Sequence, residues 1–285
     1  MMMTIMTMTM MLLASLAAAN SPCRLLAIGD IHGDLENAQS ALRQARLIDA
    51  EGKWIGGCSI LVQTGDIVDR GDASLQALDY FKNLCEEAVQ HGGEVRRLLG
   101  NHELMNFMGD FRYVSKREMD NNGGEANWKR LFSPGGPYRS WLENLDIATV
   151  VNNTVFVHAG ITSSYAALGV KGINRIAKSR IKKANYDASI LGDGGPLWTR
   201  HVIFRAMEQN CRDLELSLSL LGVERMVVGH TIDGANNIRE YCGGQLVSID
   251  VAISRAIIGL HPQCAEFTAD GKVLAHHGAV RVGSV

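Results

Sequence analysis

The chain has 285 residues, 46% of them hydrophobic, enough to bury one substantial core with at most a modest insertion. Its 28 Lys and Arg against 30 Asp and Glu leave a formal charge of -2, which excludes the basic footprint of a protein that wraps nucleic acid. Beyond the N-terminus no stretch approaches the ~20 apolar residues of a membrane span.

Residues 1–22 form an uncharged leader rich in Met, Thr, Leu and Ala. Leu12 to Leu16 is a short apolar region, and Ala17 and Ala19 have the spacing of a signal-peptidase site, but no Lys or Arg stands near Met1. Two readings stay open: a secretory or organellar targeting segment, or a disordered leader on a cytoplasmic protein. The six cysteines include no C-x-x-C pair, so zinc-knuckle spacing is absent. They read as scattered buried thiols, with disulfides allowed if the compartment is oxidising.

From Arg24 onward, short apolar runs alternate with amphipathic segments, the pattern of β-α units around a buried sheet. Leu25 to Ile28 predicts a first strand that runs into Gly29-Asp30-Ile31-His32-Gly33-Asp34, followed by a helix with Leu35, Ala38, Leu42 and Ala45 on one face. Ile60 to Val62 predicts a second strand ending in Gly65-Asp66-Ile67-Val68-Asp69-Arg70-Gly71, with a helix from Ser74 to Gln90 after it. Val95 to Leu99 predicts a third, ending in Gly100-Asn101-His102-Glu103. Each strand thus ends in a glycine followed by a metal-capable side chain. In open α/β sheets such loops gather at one edge, so the three should converge.

Between Gly109 and Glu143 the periodicity fails. Asp120-Asn121-Asn122-Gly123-Gly124 and Ser133-Pro134-Gly135-Gly136-Pro137 read as loop material, in an insertion over the site. Thr154 to Val157 predicts a strand ending in His158-Ala159-Gly160. Helices are expected over Ile173 to Ala184 and Val202 to Leu221, on either side of Leu197-Trp198-Thr199-Arg200. Met226 to Val228 predicts a strand ending in Gly229-His230-Thr231. Gln245 to Ile249, Ala256 to Leu260 and Val273 to Ala275 look like closing strands of a second, mixed sheet.

Asp30, His32, Asp66, Asn101, His158 and His230 therefore all follow apolar strand runs. Imidazole with carboxylate oxygen suits manganese, iron or zinc, and a set without thiolates argues against a structural zinc cluster. Two cations joined by one carboxylate and a hydroxide would supply a nucleophile near neutral pH and neutralise a phosphoryl group. His91, His201, His261, His276 and His277 lack such context and read as ordinary histidines. Glu103 reads as a structural carboxylate bonding the loop backbone.

The ordered set Gly29-Asp30-x-His32-Gly33, Gly65-Asp66-x-Val68-Asp69-Arg70-Gly71, Gly100-Asn101-His102-Glu103, His158-Ala159-Gly160 and Gly229-His230 resembles the calcineurin-like metallophosphoesterases. The D-x-V-D-R-G and G-N-H-E forms are similar to the phosphoprotein phosphatase branch. Leu197 to Arg200 and Ser248-Ile249-Asp250-Val251-Ala252-Ile253-Ser254 are similar to its Shewanella-like, bacterial-type group.

The resemblance implies an α/β fold, a four-layer αββα sandwich of two mixed sheets flanked by helices, in a single catalytic domain over residues 23–285. It implies two divalent cations, manganese first, with iron or zinc as alternatives. Asp30 and His32 would bind one, Asp66 both, and Asn101, His158 and His230 the second. Arg70 would clamp phosphate, with Arg200 as a second clamp unless Arg205 replaces it, and Asn101 beside them in the substrate set. His102 would be the general acid, oriented by Asp69.

The implied activity is phosphomonoester hydrolysis by the bridging hydroxide, on a phosphorylated protein or a small phosphate ester. Two alternatives stand beside a protein phosphatase. One is a dinucleoside polyphosphate hydrolase, which needs a base-stacking surface from Phe107, Phe111, Tyr113 or Trp128. The other is a scaffold without catalysis, opposed by the intact ligand set. The sequence does not identify a regulatory partner.

Overall fold

The computed structural model describes residues 23–234, 236–259 and 261–278. The leader, with its two readings, lies outside them. The apolar runs of the described residues form two five-stranded sheets. The first has the order β10-β9-β1-β2-β3, with β1 (Leu25–Ile28), β2 (Ile60–Gln63) and β3 (Glu94–Arg97) parallel, and β9 (Gln263–Phe267) and β10 (Val273–His277) antiparallel at one side. The second has the order β4-β5-β6-β8-β7. There β5 (Thr154–Val157), β6 (Arg225–Val228) and β8 (Leu246–Ser248) are parallel between the antiparallel edges β4 (Ala148–Val151) and β7 (Arg239–Tyr241).

Alternation along the strands explains the layering. Leu25, Ala27 and Val62 turn inward and meet Phe156, Val227 and Val247 of the other sheet, while Leu26, Ile28 and Leu61 turn outward under helices. Phe156 and Phe267 meet edge to face across the inter-sheet core, ring centroids 5.6 Å apart. Helices α1 (Leu35–Gln44) and α2 (Ser74–Gln90) cover the first sheet. This is the expected αββα sandwich of two mixed sheets flanked by helices.

Residues 109–143 differ from the loop that glycine, asparagine and proline suggest. They contain α4 (Lys116–Asn121), α5 (Gly124–Phe132) and α6 (Arg139–Leu142), after α3 (Asn101–Met108). Trp128, Leu131 and Phe132 are all buried, and their i, i+3, i+4 spacing is what commits α5 to a helix.

Two other expectations are corrected. Residues 202–221 are not one helix but the end of α9 (His201–Met207) and α10 (Arg212–Leu221), broken where Gln209 turns left-handed at φ 59°. Ala256 to Gly259 is not a strand, and Leu260 lies outside the described residues. The backbone N–H groups of Ile257 and Ile258 both donate to the Ser254 carbonyl, which turns the chain there, and the last two strands, β9 and the β10 that covers the expected Val273 to Ala275, join the first sheet and not the second. Helices α7 (Ser163–Ala166) and α8 (Gly169–Lys182) complete the outer layer.

Four of the six cysteines are paired, against the expectation of scattered thiols. Cys23–Cys58 joins the segments leading into β1 and β2, and Cys211–Cys242 ties the start of α10 to the end of β7. Cys85 and Cys264 are thiols packed among apolar residues.

Near the start of β1, the guanidinium of Arg24 donates to both carboxylate oxygens of Glu266 at 2.9 and 2.6 Å, and His276 lies 2.7 Å from the same group. The hydrogen bond from Arg24 is the main reason the Glu266 carboxyl falls from the usual 4.5 to about 2. A depressed carboxyl pKa stabilises the fold fully above 4.5, and that contribution is lost as pH falls through 2. With partial screening by solvent, Glu266→Gln should cost about 1–3 kcal/mol at pH 7. The difference from wild type should shrink steadily from pH 4.5 to pH 2 in urea titrations.

Candidate active site

The loops after β1, β2, β3, β5, β6 and β8 meet at one edge of the sandwich, around a cleft of about 300 Å³. Asp30, His32, Asp66, Arg70, Asn101, His102, Arg200 and His230 line it, and His158 sits beneath them, fully buried. Close approach demands glycine behind these side chains. A Cβ on Gly100 would collide with Asp66, and one on Gly229 with the Asp30 carboxylate. The backbone is strained where the chemistry lies. His32, Asp66, Asp69, Arg70 and His230 all take positive φ, between 44° and 72°. Each costs on the order of 1–3 kcal/mol, a cost that the surrounding bonds must offset.

Glu103 supplies much of that offset. Its carboxylate accepts from four backbone N–H groups, those of Gly100 (2.8 Å), Asp66 (3.0 Å), Ile67 (2.8 Å) and Val68 (3.2 Å), and so pins the β2 loop to the β3 loop. This is the structural role the sequence suggests. Glu103→Gln replaces an acceptor oxygen with a donor facing other donors. It should destabilise the protein by about 2–4 kcal/mol. An unchanged urea midpoint would show that other contacts hold the crossing.

The imidazoles of His32, His158 and His230 are each aimed by a backbone carbonyl. Nδ1 of His32 lies 3.0 Å from the Val68 carbonyl and Nδ1 of His158 lies 3.0 Å from that of Thr64, leaving both Nε2 atoms toward Asp66, at 3.7 and 3.4 Å. In His230 it is Nε2 that meets the Trp198 carbonyl, at 3.1 Å, which frees Nδ1. The Asn101 amide oxygen lies 2.7 Å from His158 Nε2. Asp30 accepts from the His230 backbone N–H, and its carboxylate lies 3.9 Å from His32 Nε2. Side-chain atoms that could hold a metal ion fall into two compact trios, His32–Asp66–His102 and Asp66–His158–His230, with Asp66 common to both.

The electrostatics suit cations. Burial, then the charges of Asp250 and Asp66, push Asp30 well above the carboxylate range. Burial opposes ionisation of Asp66 too, yet His158, His102 and His32 outweigh it and hold this carboxylate well below that range. Burial brings His32 and His230 down to about 3, so both are neutral imidazoles with a free lone pair. Crowded buried carboxylates beside neutral imidazoles are a donor set that divalent cations would satisfy.

One member of the first trio, His102, also belongs to a dyad. His102 Nδ1 lies 2.7 Å from Asp69 Oδ2, and His102 Nε2 faces the cleft, 3.8 Å from Asp66. Burial lowers the His102 imidazole, but Asp66 and then Asp69 raise it more, and the net shift is upward. Arg70 lies over the Tyr113 ring at 4.5 Å, and the same ring meets His102 at 5.1 Å. Arg200 donates to the His230 carbonyl and the Thr231 hydroxyl, so it borders the cleft, whereas Arg205 is paired with Glu208 on the surface.

Sequence reasoning missed Asp250, a buried carboxylate on the cleft wall that burial pushes up to about 6. Its signal was available, because it follows β8 as Asp30 follows β1. Of the four aromatics suggested as a base-stacking surface, Phe107 and Trp128 are buried and Phe111 packs against the core. Among these four, Tyr113 alone lines the cleft.

Two mixed sheets that deliver paired Asp and His trios to one edge define a metallophosphoesterase, an enzyme that hydrolyses phosphate esters with bound metal. The chain belongs to the calcineurin-like phosphoesterase family, whose pattern matches residues 23–233. It is 33% identical over 301 residues to Shewanella-like protein phosphatase 2 of Arabidopsis thaliana, covering 88% of this chain and 77% of that one. To Shewanella-like protein phosphatase 1 of Plasmodium berghei it is 32% identical over 244 residues, covering 81% and 67%. Among solved structures, the cold-active protein-tyrosine phosphatase of a psychrophilic Shewanella superposes with a TM-score of 0.78 at 24% identity, covering 90% of this chain and 81% of that one.

Proposed function

We propose that the chain is a protein phosphatase that works with two divalent cations, manganese before iron or zinc. The observation that carries this reading is the convergence on Asp66: two ligand trios share it, and His102 with Asp69, Arg70 and Arg200 stands around the same cleft. Asp30, His32 and Asp66 would hold one cation, and Asp66, Asn101, His158 and His230 the other. When bound, the pair supplies an activated water and neutralises phosphoryl charge. Arg70 and Arg200 grip the non-bridging phosphate oxygens, with Asn101 beside them, and His102 Nε2 gives a proton to the departing oxygen.

The relatives named as protein phosphatases support a phosphorylated protein substrate. A further relative, the symmetrical bis(5'-nucleosyl)-tetraphosphatase of Salmonella paratyphi A, is 28% identical over only 56% of this chain. The burial of Phe107 and Trp128 weighs against a base platform as well. Tyr113, Trp198, Ile232 and Ile257 give the cleft apolar walls that accept an aryl ring. The deciding assay is manganese-supported turnover of phosphoserine, phosphothreonine and phosphotyrosine peptides beside dinucleoside polyphosphates. Faster turnover of the dinucleotides would overturn the assignment.

The two disulfides support the secretory or organellar alternative for the leader. N-terminal sequencing of the native protein checks it, and an intact Met1 would refute it.

A further inference from the structure

The dyad is braced by two residues outside the motifs, Asn106 of α3 and Trp128 of the helical segment over residues 109–143. Trp128 of α5 is fully buried, and its indole N–H donates to the Asn106 side-chain oxygen at 2.7 Å. The Asn106 amide nitrogen donates in turn to Asp69 Oδ1 and to the His102 carbonyl, both at 2.9 Å. Asp69 Oδ2 then meets His102 Nδ1. Every member of this chain is at least 96% buried, so water does not substitute for a lost partner.

The direction of the chain is fixed by its first link. An indole N–H donates and cannot accept. Asn106 must therefore turn its oxygen toward Trp128 and its NH2 toward Asp69. The reversed amide would set a donor against the indole and an oxygen against both a carboxylate and a carbonyl. With Asn106 donating to Oδ1, Asp69 receives the His102 Nδ1–H on its other oxygen, and Nε2 is left facing the cleft. A second brace reaches the same residue: the Asp69 backbone N–H donates to Ser74 Oγ at 3.0 Å, and that hydroxyl donates to Glu118 of α4 at 2.5 Å.

We propose that Asn106 and Trp128 are positioning residues for His102, so that the segment over residues 109–143 sets the line along which the imidazole delivers its proton. This rests on the reading of His102 as general acid. It makes the segment part of the acid's mounting as well as a wall of the cleft. Outer-shell partners that orient a metal-binding imidazole are typically worth about 10- to 100-fold, and the lower end is expected for Trp128, which reaches His102 through Asn106 and Asp69.

Trp128→Phe removes the N–H while keeping an aromatic ring against Phe132, whose centroid is 5.4 Å away. With metal content unchanged, the variant should lose about 10-fold in kcat on a phosphoserine peptide, with KM unchanged, and less than about 2-fold on para-nitrophenyl phosphate. In a His102→Asn background the same substitution should cost nothing further, since it acts through an imidazole no longer present. Equal losses on both esters, or an additive loss in the double variant, would overturn the proposal and reduce Trp128 to packing.

Hydrogen exchange of the Trp128 indole N–H tests the relay without turnover and without a variant that must fold. Protection well beyond that of an exposed indole is expected, and free exchange would overturn it. A wild-type enzyme without monoesterase activity would defeat the functional reading instead, and the exchange result would still stand apart from it.

Discussion

Asp66→Asn should abolish turnover and leave the purified protein with fewer than two metal ions per chain. Asp66 is the only residue common to both ligand trios, and its carboxylate lies 3.4 to 3.8 Å from a nitrogen of His158, His32 and His102. An amide there keeps the shape and still accepts the His102 backbone N–H, which lies 2.9 Å from Oδ1. It removes the one negative charge that would sit between two cations and offset their mutual repulsion. Charge stabilisation by bound metal is worth several kcal/mol in the transition state, and each 1.4 kcal/mol is tenfold. A fall in kcat of at least about a thousand-fold is therefore expected. Metal analysis and an assay on one preparation check both parts. Two tightly bound metals with normal turnover would remove Asp66 from the bridging position.

The contrast between Asp66 and Asn106 shows which parts of the site were legible in the sequence. Asp66, Asp30, His158 and His230 each follow a short apolar strand, and Asn101 follows the Leu98-Leu99-Gly100 run beyond the charged β3, so a local pattern locates them and the geometry of a sheet edge gathers them. The boundaries of β1 and α2 were readable for the same reason: Leu25–Ile28 is a bare apolar run, and Ser74–Gln90 has a helical stripe. Asn106 carries no such mark. It matters because α5 closes over it, and α5 was hidden by Gly123 and Gly124, both at left-handed φ near 80°, which read as a loop. The edge strand β7 is three residues, Arg239, Glu240 and Tyr241, two of them charged, and only pairing with β8 makes it a strand. The break between α9 and α10 likewise has no local breaker, since the Cys211–Cys242 bond that follows it joins residues 31 apart. What escaped the sequence is what tertiary contact decides.

His102→Asn should separate two substrates that an equal loss of binding would not. A serine or threonine alkoxide is a poor leaving group and needs a proton as the bond to phosphorus breaks, whereas nitrophenolate leaves without one. General acid help is typically worth about 10²- to 10⁴-fold, and it should appear only where the leaving group demands it. The geometry supports the role: Nδ1 is committed to Asp69 at 2.7 Å, and Nε2 faces the cleft beside Arg70 and Tyr113. With metal content unchanged, His102→Asn should therefore lose at least about 100-fold in kcat on a phosphoserine peptide and only a few-fold on para-nitrophenyl phosphate. Asp69→Asn should give a milder version of the same pattern. It leaves the imidazole in place and removes the charge that orients it, while setting a second amide against the Asn106 donor. His102 also lies in the trio with His32 and Asp66, so an alternative role as a metal ligand makes a different prediction. In that case both substrates lose equally and metal occupancy falls with them. Equal losses with full occupancy would mean that His102 serves ground-state binding, and the proton would have to come from elsewhere in the cleft, where Asp250 is the remaining acid that the structure places on its wall.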